Sequence, residues 1–82
     1  MAIERILFMY GRNLIGSNLK KLRKLSNISQ EEFVAKLSLI GFELDRTSLS
    51  RIENHNREVY DYELFYFSKV LNIDINELYS FD

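Results

Sequence analysis

The sequence predicts an all-α fold, a compact five-helix bundle, and three observations carry that expectation. Apolar residues recur at i, i+3 and i+4 along almost the whole chain. Two segments, Ser29-Gln30-Glu31-Glu32 and Asp74-Ile75-Asn76-Glu77, have the form of a helix capping box. Three glycines and no proline leave little scope for long loops. With 82 residues, 46% of them apolar, the chain has room for one domain and is too apolar for a disordered one.

The elements follow in order. Leu14, Ile15, Leu19, Leu22 and Leu25 set out a first helix over 13–25, which Asn27 stops. Ser29 and Glu32 can satisfy each other's backbone amides, with Ile28 and Phe33 at the flanking staple positions. The second helix then runs from Gln30 to Leu39 and buries Phe33, Val34 and Leu37. Gly41 punctuates the chain, and Asp45 caps a third helix, Arg46 to Asn54, whose core residues are Leu49 and Ile52. His55, Asn56 and Arg57 form a turn. Asp61 opens a fourth helix to Leu71 carrying Tyr62, Leu64, Phe65, Phe67 and Val70. The Asp74 box starts a short last helix that buries Ile75 and Leu78. Residues 1–12 form an N-terminal arm or extension, and 13–82 form the domain. Ile3 to Tyr10 can be an arm, an extra helical turn or an edge strand.

Composition removes several function classes. The absence of cysteine excludes a disulfide scaffold, thiolate metal sites and cysteine catalysis, and a single histidine, His55, excludes a zinc site of the usual kind. The run Ile6-Leu7-Phe8-Met9-Tyr10 is too short to cross a bilayer and lacks the features of a signal peptide, so the chain reads as cytoplasmic with no membrane partner. No glycine-rich phosphate loop and no serine with a nearby base point to an enzyme, and no cofactor is implied. Charge is unevenly spread. Residues 1–57 hold ten Lys/Arg against six Asp/Glu, while 58–82 hold Lys69 against six acids. Such a molecule can present a positive face to a polyanion despite a net charge of −1, although solvated faces with a chance imbalance look the same.

The third helix is the informative one. Opposite Leu49 and Ile52 it offers Arg46, Thr47, Ser50 and Arg51. Arginine can pair with two acceptors of guanine, and short hydroxyls and helix-terminal amides can hold phosphate oxygens. A surface helix selected for stability alone would favour alanine, glutamate and lysine at these positions.

The chain resembles the Cro/phage-repressor type of helix-turn-helix domain, the XRE family. The resemblance rests on Ile15-Gly16-x-x-Leu19-x-x-Leu22-Arg23, Ser29-Gln30-Glu31-Glu32-Phe33, Arg46-Thr47-Ser48-Leu49-Ser50-Arg51-Ile52-Glu53-Asn54 and Leu71-Asn72-Ile73-x-Ile75-x-Glu77-Leu78, in that order. It implies a lambda-repressor-like bundle in which helices two and three form the helix-turn-helix and helix 46–54 enters the major groove. Gln30 is then expected against a phosphate or the first base. Arg46, Thr47 and Arg51 fall at base-reading positions with Ser50 beside them, and Asn54, Asn56 and Arg57 fall where the family contacts the backbone. Arg23 and Glu53 match a structural ion pair joining helix one to helix three.

Three features depart from the family pattern. The connection Ser38 to Asp45 is longer than usual, with Phe42 and Leu44 expected to plug the core, Phe42 having a partner contact as its alternative. His55 stands where glycine is usual and is expected to take a left-handed conformation, as a solvated loop residue or with a phosphate role. The Ile3–Tyr10 segment adds apolar surface. Lys20, Lys21 and Lys24 either steer phosphates or form a solvated face. Tyr66, Tyr79 and Phe81, with Phe8 and Tyr10, are candidates for a dimer surface.

The expected function is therefore a sequence-specific double-stranded DNA-binding transcriptional regulator, a repressor, with DNA and a second copy of the chain as partners. The alternative is a protein-interaction module on the same scaffold, an antitoxin or an antagonist of another regulator.

Overall fold

A computed structural model describes residues 11–80. The Ile3–Tyr10 segment and Phe81 lie outside the described residues, and with them the readings placed on them. Four α-helices follow one another, α1 Gly16–Leu25, α2 Gln30–Leu39, α3 Arg46–Glu53 and α4 Asp61–Leu71, and a 3-10 turn, Ile75–Tyr79, comes after them. There is no strand among the described residues.

The all-α class holds, but the expected fifth helix is a single turn of 3-10 geometry. Its start is as the sequence suggests, with the Asp74 carboxylate accepting the Asn76 amide at 2.8 Å and the Glu77 carboxylate accepting the Asp74 amide at 2.9 Å. Ser80 then turns extended, so the segment ends before i→i+4 bonding can establish itself. Helix one starts at Gly16 rather than 13, with Ile15 as its N-cap, and the Asn13 side chain, outside the helix, accepts the Gly16 amide at 2.9 Å. Helix three stops at Glu53, leaving Asn54 as its C-cap.

Three helices end in the same way. Asn27, His55 and Asn72 all take positive φ, near 58°, 60° and 55°. Beyond each, an amide reaches back to a carbonyl five residues earlier: Ile28 to Arg23, Asn56 to Arg51 and Ile73 to Ser68. At the N-termini, Ser29 accepts the Glu32 amide and Asp45 accepts the Ser48 amide at 2.7 Å.

The core is formed by Ile15 and Leu19, Phe33 and Leu37, Leu49 and Ile52, Phe67 and Leu71, and Leu78, so every element contributes to it. Phe42 and Leu44 from the lengthened connection pack against its edge, and Phe42 stacks on Tyr66 with ring centroids 5.1 Å apart. Ile75, expected to be buried, is exposed at the start of the 3-10 turn, and Tyr62 and Phe65 of the apolar pattern of α4 are exposed as well. For α4 the reason lies in the face it buries. Glu63, Phe67 and Leu71 recur every fourth residue and point inward, which turns Phe65 to the opposite side of the helix. Val34, expected in the core of α2, is half-buried at its margin.

Gly16 marks the closest approach of α1 to α3. A Cβ there would collide with the backbone carbonyl of Ile52. The Asn13 amide donates to that same carbonyl at 2.7 Å and to the Arg57 carbonyl at 3.0 Å, tying the chain before α1 to the end of α3. Gly16→Ala should therefore lower stability by about 1–3 kcal/mol in urea unfolding, because backbone cannot swing aside. Helix propensity alone would raise stability at this position, so an unchanged or raised midpoint would contradict the packing account.

Candidate nucleic-acid interface

The N-terminus of α2, the outer face of α3 and the loop 54–56 form one surface, connected to the core through a buried ion pair. Arg23 Nε donates to Glu53 Oε2 at 2.7 Å and Arg23 Nη2 to Glu53 Oε1 at 3.1 Å, both side chains almost fully enclosed. Arg23 Nη1 donates to the Ile28 carbonyl at 2.7 Å. This places the end of α3 against α1 and the α1–α2 turn.

The network continues outward. Gln30 Nε2 donates to Glu53 Oε1 at 3.0 Å, and Gln30 Oε1 accepts Arg46 Nε at 3.3 Å. Arg46 Nη1 meets Glu31 Oε1 at 3.3 Å. Gln30 thus links the buried pair to the first residue of α3, and its amide is engaged within the protein. Thr47 is exposed beside Arg46, and Ser50 is half-buried one turn on. Arg51 is exposed, with Nη2 donating to the Asn56 carbonyl at 3.1 Å, and the side chains of Asn54 and Asn56 face solvent. Lys20 and Lys24 join Ser29, Gln30, Glu31 and Arg46 around an open groove of about 370 Å³.

Arg57 sits apart from this group. Its guanidinium makes a two-pronged pair with Glu63, at 3.0 and 2.9 Å, and donates to the Glu58 carbonyl at 3.0 Å. Those hydrogen bonds to the fully buried Glu63 carboxylate hold Arg57 above the ordinary arginine value. Arg57 therefore supports the turn into α4, and Glu63 also accepts the Tyr60 amide at 2.9 Å. His55 is half-buried against the start of α1. The Ser17 amide donates to its Nε2 at 3.1 Å, so its Nδ1 carries the hydrogen given to the Asn13 carbonyl at 2.8 Å. Its ring braces α1 against the end of α3, while its backbone takes the left-handed conformation that the sequence suggests.

Sequence reasoning did not single out Asn13, Glu63 or Glu31. The spacing Asn13-x-x-Gly16, an Asx residue three before a helical glycine, was a signal for the first. Glu63 sits three residues after Tyr60, in the position of a capping-box acid. Among the described residues no cluster of His, Asp or Glu could hold a metal, and no helix is long and apolar enough to cross a membrane.

Helix α2, the connection over 40–45 and α3 thus carry this surface on an all-α framework. The chain is 44% identical over 66 residues to the control protein C.MunI of Mycoplasma sp, a match covering 79% of this chain and 82% of that protein. The chain belongs to the family of control proteins that C.MunI represents. No protein-family model matches it, and no solved structure matches it.

The anchoring of α3 can be tested in two ways. Arg23→Ala should cost about 3–5 kcal/mol in urea unfolding, since it leaves the Glu53 carboxylate buried without its partner. A loss below about 1 kcal/mol would show that the pair is not what seats α3. The second test uses acid. The Ser48 amide holds the Asp45 carboxyl below its ordinary value, and the Ser29 amide does the same for Glu32. A carboxylate depressed in the folded state contributes stability that is complete above its unfolded value and is lost as pH falls through the folded one. Asp45→Ala should thus be less stable than wild type near pH 6, with the gap narrowing toward about pH 3. A gap independent of pH would contradict the charge-assisted cap.

Proposed function

We propose that the chain is a sequence-specific double-stranded DNA-binding transcriptional regulator of the XRE, Cro/phage-repressor type. Residues 13–82 form its DNA-binding domain, and it acts in the cytoplasm as a repressor. The observation that carries this reading is the outer face of α3. Arg46, Thr47, Ser50 and Arg51 lie on a short helix whose other face is sealed into the core by Leu49 and Ile52. The family relation to a control protein supports it as well.

The mechanism is occupancy. Helix α3 enters the major groove, Arg46, Thr47 and Arg51 address base edges, and Ser50 lies beside them. Lys20 and Lys24 border the groove next to the α2 N-terminus, where a phosphate backbone gains from positive charge and exposed amides. Asn54 and Asn56 flank the helix and address the backbone. Gln30 acts through Arg46, whose direction it sets, and Arg57 acts by fixing the turn. Bound protein then blocks polymerase.

A homodimer completes the reading, with half-sites about 34 Å apart. The exposed aromatics Tyr60, Tyr62 and Phe65 on and before α4, about half-exposed each, favour a protein contact on the side of the molecule that α4 covers. The same residues are what the second reading, an antitoxin or an antagonist of another regulator, would use. Tyr66 serves neither, since it lies half-buried on Phe42.

Selection from a random duplex library tests the proposal. An enriched palindrome with half-site centres one helical turn apart is expected, with affinity falling steeply as salt rises. Arg46→Ala and Arg51→Ala should each weaken binding to the enriched site by about 1–3 kcal/mol and relax preference at the base pair that the arginine addresses. Unchanged selectivity in both folded variants would overturn the assignment of the reading face. Failure of folded protein to enrich any sequence would transfer the proposal to the protein-interaction reading.

A further inference from the structure

Arg46 opens α3, where the partial positive charge of a helix N-terminus disfavours a cation. Two groups from α2 offset that placement: Gln30 Oε1 accepts Arg46 Nε, and the Glu31 carboxylate meets Arg46 Nη1, both at 3.3 Å. Glu31 has no part in the capping box, which Ser29 and Glu32 form between them. It puts a negative charge among Lys20, Lys24 and Arg46, on the surface assigned above to a polyanion.

We propose that Glu31 is an internal competitor for Arg46, a specificity-determining residue that limits both how tightly and how strictly α3 reads the base opposite that arginine. The inference rests on the reading of α3 as the base-reading helix. Guanine offers two acceptors, and Arg46 satisfies them with Nη1 and Nη2 while Nε stays on Gln30. Nη1 must then leave Glu31. The energy of the pair is subtracted from binding to the preferred site. Opposite a base without that pair of acceptors, Arg46 stays on Glu31. Its charge is not stranded in a drying interface, so the penalty for the wrong base is blunted. Gln30 has the complementary effect, because its hydrogen bond with Nε survives in both states and fixes the direction in which the guanidinium projects.

The test is a double-mutant cycle read by fluorescence anisotropy. The probes are the enriched duplex and a duplex altered at the base pair whose preference Arg46→Ala abolishes. Glu31→Gln should bind the enriched duplex about two- to fivefold more tightly, the range for releasing an exposed ion pair. It should gain less on the altered duplex, so discrimination sharpens. In an Arg46→Ala background, Glu31→Gln should change neither affinity. Unchanged or weaker binding by Glu31→Gln, with Arg46→Ala still costing affinity, would overturn the competitor role. Equal tightening in the Arg46→Ala background would also overturn it, making Glu31 a general source of phosphate repulsion. If Arg46→Ala leaves the preference intact, or no duplex is bound, the reading of α3 itself falls and the competitor role falls with it.

Discussion

A guanidinium and a carboxylate enclosed in a domain of this size hold their charges only if their hydrogen-bonding capacity is met, and Arg23 and Glu53 meet it together. Arg23 gives two N–H groups to Glu53 and a third to the Ile28 carbonyl, and Glu53 accepts a further bond from Gln30. Replacing such a pair with well-fitted apolar residues is often neutral or stabilising, whereas removing one partner is costly. What the pair supplies is therefore geometry more than stability. It joins α1, the α1–α2 turn, the start of α2 and the end of α3, four pieces of chain whose relative placement decides where the outer face of α3 points.

The second side of α3 is held by close backbone approach and hydrogen bonds. Gly16 lets α1 come close enough for its backbone to face the Ile52 carbonyl, and Asn13 and His55 cross the gap with hydrogen bonds. Arg57 and Glu63 then set the turn into α4. Helix α3 has only eight residues and two core side chains, Leu49 and Ile52, so it cannot be positioned by apolar packing alone. Polar groups that fix its ends leave the face between them available, and the residues along that face are then free to be chosen for recognition.

Much of this architecture was legible in the sequence, and the limit was distance along the chain. Caps at Ser29, Asp45 and Asp74, and the stops at Asn27 and His55, depend on neighbours a few residues away, so local patterns disclose them. The core of α2 and α3 was readable because Phe33, Leu37, Leu49 and Ile52 keep one helical stripe. Asn13 was not, because its carbonyl partners lie 39 and 44 residues away. The exposure of Tyr62 and Phe65 was not legible, because hydrophobicity alone does not say which side of a helix carrying apolar residues all round meets the core. There a buried acid, Glu63, occupies the inward position. The candidate reading residues were legible as a face, but their engagements were not. Spacing cannot show that Gln30 is committed to Glu53 and Arg46, or that Arg57 turns toward Glu63.

On this view the surface formed by the α2 N-terminus and α3 meets DNA while the network beneath it stays intact. Titrating the 15N-labelled chain with a selected duplex and following amide shifts tests it most directly. Large changes are expected at residues 20, 24, 30–31, 46–51 and 54–56, with the side-chain signal of Arg23 Nε retained in the bound state. Changes centred instead on Tyr60, Tyr62 and Phe65, or loss of the Arg23 signal on binding, would contradict it.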